Sequence, residues 1–237
     1  MSRSASFRSF LLGPILAFGP LAANEVAPAA APAAPAAAHA EHSDAPVSPA
    51  QALQRLVDGN ARFASGHAEH PNQTVARRVE VAAGQKPFAV VLTCADSRVA
   101  PELYFDQGVG DIFVIRVAGH TLNDHVIGSI EYAVEHLHAA VVVVVGHEKC
   151  GAVAAALSSE RGEGKIGTLL EAIRPAVRDT RNQAGDKTDN AVRGHARRTA
   201  KLIPASSPIV KNAISAGHVK IFAARYDLVS GKVDLLP

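Results

Sequence analysis

Two short runs carry residues whose types and spacing could do chemistry: Cys94-Ala95-Asp96-Ser97-Arg98 and His147-Glu148-Lys149-Cys150-Gly151. They hold both cysteines of the chain. Two thiols and an imidazole suit zinc, and three protein ligands leave one tetrahedral position open for water, as in a catalytic rather than a structural metal site. Zinc lowers the pKa of bound water toward neutrality and so makes a hydroxide nucleophile. Two thiolates cancel the charge of the metal, so this centre should be a weaker acid than one built from three imidazoles, with an alkaline working pH. Asp96 and Arg98 complete the chemistry. A guanidinium beside a carboxylate keeps it ionised, and Asp96 can then accept the proton of zinc-bound hydroxide and aim its lone pair at a substrate. Asp96 could also turn and take the fourth position itself, which would shut the site. The competing assignments are one structural disulfide, which an oxidising compartment would favour, and a surface ion pair of little weight.

Each run follows a stretch of apolar, mostly β-branched residues, 88–93 before Cys94 and 141–145 before His147. Such stretches read as buried parallel strands, whose carboxyl ends are where open α/β sheets gather ligands. Further strands are expected at 111–117, 218–226 and, after the turn at Ser230-Gly231, 232–236. Between them fall helical patterns at 101–104, 125–137, 150–157, 168–181, 188–202 and 208–216. Ser48-Pro49 opens a helix that ends near Gly66, and a second covers 73–83. The expected fold is α/β: a mostly parallel central sheet of four strands plus a short fifth antiparallel strand, flanked by helices. The two extra amino-terminal helices should pack outside the sheet core or on another subunit.

A length of 237 residues with 48% apolar content suits one folded domain with additions. The net charge of +2 and 5% aromatic residues argue against a nucleic-acid binder. Arg3 and Arg8 precede an apolar run at 10–22, so residues 1–23 read as a secretory signal peptide, which places the protein in a bacterial periplasm. Ser2, Ser4, Ser6 and Ser9 fit the alternative, an organelle transit peptide. The run is too short to span a bilayer, so no membrane span is expected after signal removal. Residues 24–47 form an Ala/Pro-rich linker without fixed structure, and 48–237 form the catalytic domain.

Cys-x-Asp-x-Arg followed by His-x-x-Cys-Gly is similar to the signature of the beta-class carbonic anhydrases. The segments Phe105-Asp106-Gln107-Gly108, Arg116-Val117-Ala118-Gly119, Glu131-Tyr132-Ala133-Val134-Glu135-His136-Leu137, Tyr226-Asp227-Leu228 and Gly231-Lys232-Val233 resemble that family as well. The resemblance implies a lyase that reversibly hydrates carbon dioxide to bicarbonate and a proton, with one zinc per subunit. It implies Cys94, His147 and Cys150 as zinc ligands and Asp96 and Arg98 as the catalytic dyad. Gln85, nine residues before Cys94, would enter the pocket of a partner subunit and donate to substrate oxygen. Phe113, Tyr132, Val99 and Gly151 would line an apolar cleft suited to a small uncharged substrate. His136 stands where a proton shuttle has been proposed in some members. A homodimer or homotetramer follows from a site shared between subunits.

There are departures. His120 stands where the family often has asparagine, and Thr93 replaces a glycine. A regulated subgroup binds bicarbonate through a Trp-Arg-Tyr trio; Arg116 and Tyr226 match, but Val91 occupies the tryptophan position. An open site at neutral pH, with Asp96 on Arg98, is therefore expected. Glu148 and Lys149 should face solvent, and His39, His42, His67, His70 and His195 fall into no useful pattern. Carbon disulfide or carbonyl sulfide hydrolysis on the same fold, and a non-catalytic zinc domain, are the alternative functions.

Overall fold

A computed structural model of the chain describes residues 47–158 and 161–237. Residues 1–46 lie outside the described residues, and with them the expected signal peptide, all but the last residue of the expected linker, and His39 and His42. The order is α1 (Pro49–Ala64), α2 (Val75–Val81), β1 (Ala89–Thr93), α3 (Pro101–Tyr104), β2 (Ile112–Arg116), a 3-10 turn (Ala118–His120), α4 (Asp124–Glu135), β3 (Val141–His147), α5 (Gly151–Leu157), α6 (Ile166–Thr180), α7 (Lys187–Ser206), α8 (Pro208–Ser215), β4 (Lys220–Tyr226) and β5 (Val233–Leu236). The strands lie in the order β2-β1-β3-β4-β5. The first four are parallel and β5 is antiparallel to β4, as expected.

The central strands β1 and β3 are buried along their whole length. Alternate residues feed two cores, which is why their sequences are continuously apolar rather than alternating. Val91, Val141, Val143 and Val145 pack with α1, α3, α5 and α6, while Val90, Leu92, Val142 and Val144 pack with α4 and α8. Helix α7 serves both, giving Ala191 and Val192 to the first core and Ala196 and Ile203 to the second. Each valine so buried contributes about 1.5–3 kcal/mol of transfer free energy, enough to fix the register that sets the strand ends.

Helix α1 is capped as its sequence predicts: Gln51 N–H donates to the Ser48 hydroxyl, and the Gln51 side chain returns to the Ser48 backbone. It does not pack away from the sheet, however. Ala52 and Leu56 are buried in the first core, and a Cβ on Gly59 would sit 1.9 Å from the Phe105 carbonyl oxygen, so the helix approaches its own chain closely there. The buried Asn60 donates to Tyr104 O and Gly231 O at 2.8 Å each and accepts from Val233 N at 2.8 Å. Its apolar face was visible in the sequence, but not the surface that face would meet. Helix α2 is tied at Arg77, whose Nε donates to Val109 O at 2.9 Å, while Val75 and Val79 remain exposed.

Candidate metal centre

The chain runs from β1 to β2 on one side and from β3 to β4 on the other, so the crevice opens where the carboxyl ends of β1 and β3 stand side by side. Cys94 leaves β1 immediately after Thr93, which pairs in register with Val145 of β3. His147 ends β3. Lys149 takes a left-handed conformation, φ 53°, and turns the chain back so that Cys150 caps α5 beside the histidine. All three side chains are buried, and their ligating atoms lie within 4.8 Å of one another.

The donors suit zinc. His147 Nδ1 lies 2.9 Å from its neighbour's carbonyl, Glu148 O, which can only accept, so Nδ1 carries the proton and Nε2 is a bare lone pair. That Nε2 is buried with no partner among the described residues. A buried imidazole nitrogen aimed at two sulfurs is costly unless something binds it. The sulfurs are not bonded to each other, and the two thiols act as a pair holding one proton. The hydrogen bond from the thiol of Cys150, outweighing burial, and then the Gly119 N–H pull Cys94 down to about 4. Cys150 is pushed up by that thiolate and by burial. A soft dication would displace the remaining proton and neutralise both sulfurs.

Asp96 stands over the open side. Its Oδ1 accepts from Arg98 N at 3.0 Å and Arg98 Nε at 2.9 Å; its Oδ2 accepts from Arg98 Nη2 at 2.7 Å. The hydrogen bond from Arg98 is the main reason its carboxyl lies well below the usual carboxylate range. Oδ2 is 4.0 Å from His147 Nε2. Since Oδ1 already has two donors and Oδ2 one, the spare lone pair belongs to the oxygen that faces the cluster. Arg116 braces the loop, donating from Nε to Cys94 O at 3.2 Å and from Nη2 to Asp96 O at 2.6 Å. Tyr226 is stacked on Tyr104, centroids 4.6 Å apart, and Val91 is buried in β1.

The remaining expected residues divide between two places. Val99 is buried in the same core as the two cysteines, and Gly151 fronts open space, where a Cβ would meet no heavy atom within 4 Å. Phe113, by contrast, pairs in register with Val90, on the amino-terminal half of the sheet. The half-exposed Tyr132 is 6.4 Å from it, centroid to centroid, and the exposed His136 is 5.3 Å beyond Tyr132. Gln85 is exposed ahead of β1, at the end opposite Cys94. A five-residue strand is about 16 Å long, so Gln85 is out of reach of the cluster in its own chain.

Some participants escape a reading of the sequence. Gly119 N–H donates to Cys94 Sγ at 3.2 Å, and its carbonyl meets the buried His195 Nε2 at 3.0 Å. His195 was without a pattern because its partner lies 76 residues away in sequence. Glu148, expected in solvent, turns partly inward and its Oε2 accepts from Leu228 N at 3.3 Å; Lys149 is exposed.

A family model described as carbonic anhydrase matches residues 89–233. The chain is 41% identical over 192 residues to carbonic anhydrase 2 of Mycobacterium tuberculosis, covering 79% of this chain and 93% of that protein. Among solved structures it resembles a beta-carbonic anhydrase of Aspergillus fumigatus, with TM-score 0.61 and 27% identity over 78% of this chain and 90% of that one. It also shares its fold with tetrameric beta-carbonic anhydrases of Sordaria macrospora, with TM-score 0.62 and 23% identity over 78% of this chain and 96% of that one.

Proposed function

The chain belongs to the beta-class carbonic anhydrases, zinc-dependent lyases, and from that premise we propose that it hydrates carbon dioxide reversibly to bicarbonate and a proton, with Asp96 and Arg98 directing the attack. The observation that carries this is the buried Nε2 of His147, without a hydrogen-bond partner among the described residues, converging with the sulfurs of Cys94 and Cys150 beneath Asp96 Oδ2. These three residues would hold one zinc per subunit, which supplies a Lewis acid that brings the pKa of coordinated water toward neutrality.

The chain does the rest. Arg98 keeps Asp96 ionised and fixes its plane through two parallel hydrogen bonds. Asp96 Oδ2, with its spare lone pair, accepts the hydrogen of the attacking oxygen, so a lone pair rather than an O–H faces the carbon. Val99 and Gly151 bound the near side of an apolar cleft. Gln85, Phe113 and Tyr132 stand at the wrong end of their own sheet and are assigned to the far side of a partner's cleft, where the Gln85 amide donates to substrate oxygen. The functional unit is thus a homodimer, or a tetramer of the kind named for the Sordaria relatives. The exposed His136 is the shuttle candidate, passing product protons to buffer. Residues 1–23 are proposed as a signal for export to a periplasm and 24–47 as a tether; no helix among the described residues is long and apolar enough to cross a membrane.

The test is zinc content measured together with carbon dioxide hydration on the full chain. About one zinc per chain with hydration that is lost on chelation and regained with zinc supports the proposal. Zinc-loaded protein without hydration overturns it, and sulfide release from carbon disulfide in that case would assign the site to the other substrate class.

A further inference from the structure

Behind the cluster lie two buried histidines that the chemistry above does not use. The rings of His120 and His195 are 4.6 Å apart and tilted by 39°. Neither nitrogen of His120 has a partner among the described residues, nor does Nδ1 of His195. Space has been kept for them: a Cβ on Gly146, the residue before the ligand His147, would come within 3.3 Å of His120 Cε1 and 2.8 Å of Val192 Cγ1. His120 also accepts a left-handed backbone, φ 44°, which costs a non-glycine residue of order 1 kcal/mol.

One contact gives the pair a direction. His195 Nε2 is 3.0 Å from Gly119 O; a carbonyl oxygen only accepts, so Nε2 carries the proton. Gly119 in turn donates its N–H to Cys94 Sγ at 3.2 Å. Gly119 is left-handed, φ 66°, and a Cβ there would strike Ile173 Cδ1 at 2.7 Å, so this position is confined to the residue whose backbone is freest to turn. His195 pins its carbonyl, and the tilted ring of His120 packs against that of His195.

We propose that His195 is a positioning residue of the metal centre, anchoring Gly119 so that its N–H stays on the Cys94 sulfur. This rests on the cluster being the zinc site. A hydrogen bond to a thiolate draws charge from the sulfur, so less is donated to the metal, which becomes a stronger Lewis acid. His195 faces His120 from the 3-10 turn and Arg198 from its own helix. Burial lowers its pKa to about 4, so it is a neutral donor across the working range.

The test uses the full chain loaded with cadmium-113, in which scalar coupling between the metal and an amide proton passes through an N–H···S bond. The Gly119 amide is expected to couple to bound cadmium in the wild type and in His195→Gln, whose side-chain amide can donate to the same carbonyl. Coupling should be lost in His195→Leu. In the zinc enzyme, His195→Leu should move the midpoint of the pH profile of hydration about half a unit alkaline, with His195→Gln restoring it. His195→Asn, one carbon too short, replaces His195→Leu if the latter does not fold, with the same loss expected. Cadmium bound without coupling in the wild type, or coupling and midpoint unchanged in the donor-less variant, overturns the proposal alone. Failure to bind cadmium at all overturns it together with the metal site.

Discussion

Arg98 holds both carboxylate oxygens of Asp96, at 2.9 Å from Nε and 2.7 Å from Nη2, and the oxygen bound only once is the one 4.0 Å from His147 Nε2. Removing the charge or the clamp should therefore disable chemistry without releasing the metal. Asp96→Asn and Arg98→Ala are each expected to lower kcat/KM about a hundredfold or more, the weight of a positioned proton acceptor, with zinc content unchanged. Because Arg98 draws Asp96 well below its ordinary 3.8, the acid limb of the wild-type profile cannot be its protonation. Stopped-flow hydration from pH 6 to 9, beside metal analysis, checks both. A zinc-loaded structure near pH 7 should show Asp96 on Arg98 and off the metal.

Cys150 sits at the turn that Lys149 makes with its left-handed backbone, buried against Cys94 and His147. Cys150→Ser keeps the size but replaces a thiolate with a hydroxyl. Groups that merely orient ligands are worth roughly 10–100-fold in metal affinity, so loss of a ligand should exceed that, and dialysis against a mild chelator should strip the variant while the wild type keeps its zinc. Full occupancy in the variant would show that the ligand set is wrong.

The strands were legible because nothing but a doubly covered position tolerates Val141-Val142-Val143-Val144-Val145, and the ligands were legible because both cysteines follow such runs directly. Observed strand bounds differ from the expected ones by two residues or fewer. What stayed hidden is tertiary. Asn60 satisfies backbone groups of Tyr104, Gly231 and Val233, and His195 reaches Gly119 from α7; neither has a local spacing that a period could reveal. The packing of α1 on its own sheet was missed for a related reason. Periodicity shows that a helix has an apolar face, not which surface receives it.

Gln85 and Asp96 lie at opposite ends of β1, so a site that needs both must draw them from two chains. Gln85→Ala and Asp96→Asn should each be nearly inactive as pure dimers. When the two variants are unfolded together and refolded, half the dimers are mixed, and each mixed dimer has one site with Gln85 from one chain and Asp96 from the other. Activity should return to about a quarter of wild type, as closed two-fold pairing requires. If the mixture is no more active than its components, Gln85 does not act across a subunit boundary.

Helix α7 carries His195 into the site, and its amino-terminal turn is fastened to β4 by charge. Arg225 Nε donates to Asp189 Oδ1 and Nη1 to Asp227 Oδ2, each at 2.7 Å, while Arg193 Nε holds the other Asp189 oxygen at 2.6 Å. Burial pushes Asp189 up, but the hydrogen bonds from Arg193 and Arg225 outweigh it and leave the carboxyl depressed. Asp227 is depressed by the backbone N–H of Ser230 and then by Arg225. Groups with lowered folded pKa stabilise fully above their unfolded value of 3.8 and lose that contribution as pH falls through the folded one. Arg225→Met should therefore cost roughly 1–2 kcal/mol at pH 7, allowing for solvent screening, and progressively less below pH about 4. Urea unfolding of both proteins at pH 7 and pH 3 measures this directly. An equal gap at the two pH values would mean that Arg225 acts through the packing of its stem rather than through the carboxylates.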